Sequence, residues 1–236
     1  TADEWVDLLV QTIGFNPAKF SVREKMLLLL RLVPFVEANT NLIELGPRET
    51  GKTYTYRNTS GRSFVISGGK ATPATLFYHI ASRKIGILGY RDVVFFDEIA
   101  ATSFTDPEAT ISVLKDYMQT GRFSRGPLEF SAQASIVLGG NIDTDMARRS
   151  PAQRYRHLFE VLPQELQDTA FLDRIHAFLP GWELPKIQPE NYATGYGFIT
   201  DYLAEIFTRM RRRNYQTLVS AKVDFGGITS LASATA

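Results

Sequence analysis

The chain has 236 residues, 44% hydrophobic and 12% aromatic, with 16 Phe, 10 Tyr and a formal net charge of +1. That apolar content supports a sizeable core and excludes a disordered chain, and the length suits one large domain or one and a half. With no cysteine, disulfides, thiolate zinc sites and cysteine nucleophiles are excluded as well.

No apolar run reaches the length of a membrane span, because the longest, Met26 to Leu30, stops at Arg31. Thr1 to Val10 carries three acids and no basic cluster, so no secretory leader is expected, and a cytoplasmic location without a membrane partner is. The near-zero net charge gives no overall basic footprint. The charges are uneven, however: Arg148, Arg149, Arg154 and Arg156 form one cluster, and Arg209, Arg211, Arg212 and Arg213 another.

In chain order, Thr1 to Gly14 reads as a short amphipathic helix with Trp5, Leu8, Leu9 and Ile13 on one face. Ser21 to Asn39 reads as a longer helix. Ser21 and Glu24 have capping-box spacing at its start, and Pro34 kinks or divides it. Asn41 to Leu45 is a short apolar strand ending at Gly46, and a helix begins within "TGKTYTYRN". Ser63 to Ser67 is a further strand, closed by a Gly68-Gly69 break. Thr72-Pro73 then opens a helix running through Ser82. Val93 to Phe96 is a buried strand that delivers Asp97 and Glu98 at its end. Asp106 to Gln119 has helical period, "TGRFSRGPLEFSAQ" suits a β-hairpin, and "ASIVLGGN" is another apolar strand. Ala152 to Leu172 is expected to be helical with a break at Pro163, "IHAFLPG" to be a strand, and Tyr192 to Tyr215 to be a helical region of a second subdomain. "GGITSLASATA" at the end carries no assigned role. The four apolar strands among these, Asn41 to Leu45, Val93 to Phe96, "ASIVLGGN" and "IHAFLPG", alternate with helices and indicate a parallel sheet covered on both faces.

Gly46, Pro47, Arg48, Glu49, Thr50, Gly51, Lys52 and Thr53 match the pattern G-x-x-x-x-G-K-[ST], set between a strand and a helix. Glycines let such a loop curl until its N–H groups face phosphates, and the helix start adds unpaired amides and a positive dipole end. ATP is the expected ligand: Lys52 reaches its β- and γ-phosphates, and Thr53 ligates Mg²⁺. Asp97 is placed to hold the same Mg²⁺, directly or through water, and Glu98 to deprotonate the attacking water. His79, His157 and His176 show no metal-ligand pairing, so no transition-metal site is expected.

With "GPRETGKT", "VVFFDE" and the Asn that ends "SIVLGGN" in this order, the chain resembles AAA+ ATPases. "FLDRIHAFLPGWE" is similar to the corresponding segment of Lon proteases. "PFVEANTNLIELGPRETGKT", "ISGGKAT", "LFYHIASRKIGILG" and "FFDEIA" are similar to the Lon-related AAA+ family of BREX phage-defence systems, over roughly residues 20 to 225. The resemblance implies a three-layer α/β/α P-loop NTPase fold with a parallel central sheet and a small helical lid. N-terminal helices would occupy residues 1–40, the nucleotide-binding domain 41–185, and a partial lid 186–236.

By the same resemblance, Asn141 is the sensor that helps position the attacking water. Arg174 is the arginine finger reaching a neighbour's nucleotide, with Arg148, Arg149 and Arg154 as rivals, and Arg209 or Arg211 is the candidate second sensor. A finger in trans implies self-association into a ring, hexameric or larger. Related rings encircle duplex DNA. In that reading the hairpin bearing Arg122, Phe123 and Arg125 and the segment with Lys70 face the pore, the basic groups on phosphates and Phe123 as an apolar tip. A pore loop gripping polypeptide has the same aromatic-basic interleaving, so an unfoldase feeding a Lon-type protease stays open, as does a nucleotide-gated scaffold. No Ser-Lys protease domain is read after Arg174, so the chain reads as the ATPase core of a longer protein.

Overall fold

Side chains alternate between the two faces of a strand, and in the central strands of this chain both faces are apolar. Such strands must be covered on both sides, which is what the computed structural model shows; it describes residues 1–145 and 147–222. The five strands are β1 (Leu42–Gly46), β2 (Ser63–Ala71), β3 (Val93–Phe104), β4 (Ser135–Asn141) and β5 (Ala177–Pro180), all parallel, in the spatial order β5-β1-β4-β3-β2.

One face of the sheet (Ile43, Leu45, Val94, Phe96, Ile136, Leu138) packs against the helix Pro107–Thr120 through Ile111, Leu114, Tyr117 and Met118. The opposite face (Leu42, Val93, Phe95, Val137, Leu179) packs against α1 (Ala2–Thr12), α2 (Val22–Leu30), α3 (Val33–Val36) and α4 (Lys52–Asn58). These three layers make the α/β/α architecture with a parallel central sheet that the resemblance implies.

Local chemistry explains the boundaries. Thr1 with Glu4 and Ser21 with Glu24 each complete a capping box, so α1 and α2 begin where the pattern places them. Pro34 cannot donate to the α2 ladder, so the long helix divides and α3 restarts as a single turn with proline in its first positions. The hairpin forms as expected, Arg122–Arg125 against Leu128–Ser131.

Several expectations are corrected. Gly68-Gly69 does not end β2: both glycines take positive φ, and the strand continues to Ala71 beside Thr102, Ser103 and Phe104. β3 accordingly runs past Asp97-Glu98 instead of ending there. The helix expected through Ser82 is only one turn, Pro73–Leu76, followed by a second small hairpin, Tyr78–His79 against Lys84–Ile85. Residues 152–172 are not one broken helix but short turns at Leu158–Val161, Gln164–Leu166 and Thr169–Leu172. They carry enough apolar residues for a helix, but those serve as separate plugs, with Leu162, Leu166 and Phe171 filling the edge of the core.

The expected lid region contains one long helix, α5 (Thr200–Met210), in chain order the next after α4 on this face of the sheet. Leu203 and Phe207 join the cluster of the N-terminal helices, and the Phe207 ring lies 6.1 Å from that of Phe35. Among the described residues this helix packs with the outer layer of N-terminal helices. The terminal "GGITSLASATA" lies outside the described residues.

Candidate active site

β1 and β4 end side by side, with Gly46 opposite Asn141 in register, and the loop from Gly46 to Thr53 leaves the sheet there. Gly46 is held to glycine by packing: a Cβ would stand 2.5 Å from the Gly181 backbone. Gly51 is required for its backbone, with φ +78 at the start of α4. Glu49 also takes a left-handed φ, +67.

The loop's carbonyls are largely turned inward. Those of Gly46 and Pro47 accept from Lys52 Nζ at 3.1 and 2.7 Å, that of Glu49 accepts from Ile187 N at 2.8 Å, and that of Thr50 from Arg31 Nη2 at 3.0 Å. Pro47, across from the Gly46 carbonyl, has no N–H to offer, but with carbonyls facing in, the N–H groups of Arg48, Thr50 and Gly51 across the other peptide planes face out. They border a cleft of about 270 Å³ lined by Arg48, Glu49, Thr50, Gly51, Lys52, Thr53, Tyr54, Asp97, Glu98 and Asn141. A second polar cleft of about 530 Å³, shared through Arg48 and Asn141, adjoins it and is bordered by Pro47, Arg154 and Lys186.

Lys52 is 6% exposed, and burial pushes its ammonium down to about 8; Glu44 and Asp97 pull the value back up, and Arg31 opposes them. Across the cleft Thr53 Oγ1 donates to Asp97 Oδ2 at 2.8 Å. Two hard oxygens side by side, one of them carboxylate, fit Mg²⁺, which takes one or two protein oxygens and fills its octahedron with water and phosphate.

Glu98 follows with φ +53, an uncommon backbone for a side chain of its size. Pairing on both sides holds it there: Phe96 is in register with Leu138 and Thr102 with Gly69, so residues 98–101 bulge opposite Gly68 alone. The bulge turns the Glu98 carboxylate out to solvent on the cleft wall while its neighbour Asp97 stays partly covered. Every residue assigned to nucleotide chemistry in cis therefore converges on one cleft or its rim.

Arg174 lies elsewhere. Its carbonyl accepts from Asn41 Nδ2, just before β1, whereas the phosphate loop lies just after it; five strand residues separate the two ends by roughly 16 Å. Its guanidinium is held to the Pro107–Thr120 helix through the Lys115 carbonyl (2.8 Å) and Gln119 Oε1 (2.5 Å), and to the Ala170 carbonyl. Its place at the far edge of the sheet puts the nucleotide of its own chain out of reach.

The rival arginines are tied within the chain, Arg148 to Asp145 at 3.7 Å, Arg149 to Glu24 at 2.7 Å and Arg154 to Asp143. Neither candidate second sensor faces the phosphate loop. Arg211 caps the carbonyls of Pro34, Glu37 and Gln133 at the amino edge of the sheet, and Arg209 pairs with Glu205.

Of the residues expected to meet nucleic acid, Lys70 and Arg122 are exposed and Arg125 is half-buried. Phe123 is fully buried, which corrects its assignment as a tip. It stands opposite Phe130 in the hairpin register and packs between the rings of Phe77, Phe130 and Tyr117, at 5.3, 5.4 and 5.9 Å. With Tyr78 against Phe130 at 4.8 Å, these rings join the two hairpins into one unit. Reading 74–82 as helix hid a second exposed basic pair, Arg83 and Lys84, at the turn of the Tyr78–Ile85 hairpin. The buried pair Arg31–Glu44 beneath the loop was also missed. A lone acid inside an apolar strand, "LIELG", was the available signal.

The family described as "Lon-like protease BrxL-like, ATPase domain" matches residues 1–235. Two curated proteins named Lon-like protease BrxL, from Escherichia coli O9:H4 (strain HS) and Bacillus cereus (strain H3081.97), are each 45% identical, over 217 and 218 residues. Those alignments take in 92% of this chain but 31% and 32% of the relatives, so the chain spans about a third of their length. No helix among the described residues is long and apolar enough to cross a membrane.

Proposed function

The chain belongs to the BrxL-like ATPase domain family of Lon-like proteins, and from that premise we propose that it is the ATP-hydrolysing module of a ring-forming, duplex-DNA-binding protein of bacterial phage defence. The observation that carries the catalytic part is the Thr53–Asp97 hydrogen bond beside a loop whose carbonyls are turned inward. In the proposed reaction the outward N–H groups and the Lys52 ammonium take the β- and γ-phosphates, with Lys52 exchanging the Gly46 and Pro47 carbonyls for phosphate oxygens. Mg²⁺ held by Thr53 and Asp97 would neutralise charge on the transferring phosphoryl group. Glu98 receives the proton of the attacking water, Asn141 orients that water from the adjoining strand end, and Arg174 supplies its charge to the neighbouring subunit's site.

The DNA-binding part draws support from exposed Lys70, Arg122, Arg83 and Lys84, three of them on the two fused hairpins. The defence role rests on the resemblance of "ISGGKAT" and its surroundings to the BREX family. Electron microscopy of the full-length Glu98→Gln protein with ATP and duplex DNA tests the whole reading, with rings carrying duplex density in the pore as the expected result. Absence of rings, or a duplex mobility shift that ignores salt, would remove it. The relatives' name, Lon-like protease, favours a second reading, an unfoldase module of an ATP-dependent protease; ATP-dependent degradation of casein by the full-length protein would establish that one instead.

A further inference from the structure

A fully buried arginine needs a reason. Arg31, from the turn between α2 and α3, and Glu44, at the centre of β1, are both wholly excluded from solvent. Arg31 Nε donates to Glu44 Oε1 and Oε2 at 3.2 and 3.0 Å and Nη2 to Oε1 at 2.6 Å; the same Nη2 donates to the Thr50 carbonyl at 3.0 Å. We propose that Arg31 is a positioning residue for the phosphate loop: anchored by Glu44, it fixes the peptide plane between Thr50 and Gly51 so that the Gly51 N–H is aimed at the nucleotide.

Across a trans peptide the N–H points opposite to the C=O. A Thr50 carbonyl drawn down onto Arg31 therefore sends the Gly51 N–H up into the cleft that Thr50, Gly51 and Lys52 line. The guanidinium grips them from two nitrogens held in one plane, Nε and Nη2, a spread that the single nitrogen of an ammonium cannot reproduce. The pair is also electrically closed. Glu44 is neutralised by Arg31, which leaves the Lys52 charge for the triphosphate instead of for the acid beneath it. A loop glycine held this way is pre-ordered before nucleotide arrives, so the device acts on affinity, not on the chemical step.

This inference rests on the ATPase reading, and the test separates the two. In the full-length protein, Arg31→Lys keeps the charge and loses the fork. Its Kd for a fluorescent ATP analogue is expected to rise on the order of tenfold, while kcat at saturation stays within about twofold. Arg31→Met/Glu44→Gln removes both charges together. Its melting temperature is expected to return toward wild type, because no buried charge is orphaned, while its affinity stays low, because the Thr50 carbonyl has lost its donor. If affinity recovers along with melting temperature in the double variant, the pair is a structural staple and the inference is overturned. Wild-type affinity in Arg31→Lys overturns it too and leaves the ATPase reading intact; a wild-type protein that binds no ATP removes both.

Discussion

Raising the pH above 8 should cost this protein its hold on ATP before it costs any of its fold. Lys52 is the reason: in the nucleotide-free loop its ammonium titrates at about 8 instead of 10.5, because burial strips its hydration and two carbonyls replace only part of it. At about 1.36 kcal/mol per pH unit, charging this amine in the site costs about 3 kcal/mol more than charging it in water. The folded value lies below the unfolded one, so between pH 8 and 10.5 the unfolded chain holds the extra proton. The fold therefore gains stability from this group as pH rises through that window. Binding runs the other way, since the triphosphate needs the ammonium. The apparent Kd should be flat below pH 8 and climb above it toward about tenfold per pH unit. The chain has no thiol to titrate there, and Lys52→Ala separates this amine from the other groups that do. Anisotropy titrations with a fluorescent ATP analogue from pH 6.5 to 9.5, paired with thermal melts, read both slopes. Lys52→Ala should bind weakly and lose the pH dependence. A Kd that stays level from pH 7 to 9.5 in the wild-type protein would refute the argument.

Glu98→Gln should keep ATP affinity and lower turnover roughly 10²–10⁴-fold, the range for losing a general base; single-turnover hydrolysis checks it, and normal turnover removes the assignment. Arg174→Ala and Lys52→Ala, each inactive alone, should recover part of the ATPase rate when mixed, because one lends the finger and the other the loop; no recovery at any ratio argues against a finger in trans. Phe123→Ala should destabilise the fold by about 3–5 kcal/mol in urea unfolding, as for other buried aromatics. Arg122→Ala next to it should change stability by less than about 0.5 kcal/mol yet weaken duplex binding and lower its salt slope. Equal unfolding midpoints for these two variants would contradict the buried position of Phe123.

What could be read without coordinates was what short-range chemistry dictates. The loop from Gly46 to Thr53 is a contiguous motif, the boxes at Thr1–Glu4 and Ser21–Glu24 are three-residue patterns, and the apolar strands carry enough hydrophobicity to fold as strands wherever they are placed. Asp97 and Glu98 were legible as a pair after one such strand, and the fold brings Asp97 to Thr53 as that reading requires. Patterns that depend on a partner distant in sequence were misread. The segment 74–82 has helix-compatible composition, yet Tyr78 is drawn onto Phe130 and the chain turns back as a hairpin. Residues 152–172 hold apolar residues at spacings a helix would accept, but the chain brings them to the core from three separate one-turn segments.

Continuous apolar runs and motif spacing by themselves determined the doubly covered parallel sheet and the phosphate loop, because strand hydrophobicity and glycine geometry act within a few residues. Only the tertiary structure decided which arginine lies far from its own nucleotide site, that Phe123 is interior, and that Arg31 reaches Glu44 and the Thr50 carbonyl. Each of these turns on which surfaces exclude water together, a property of the packed molecule that no local run of residues carries.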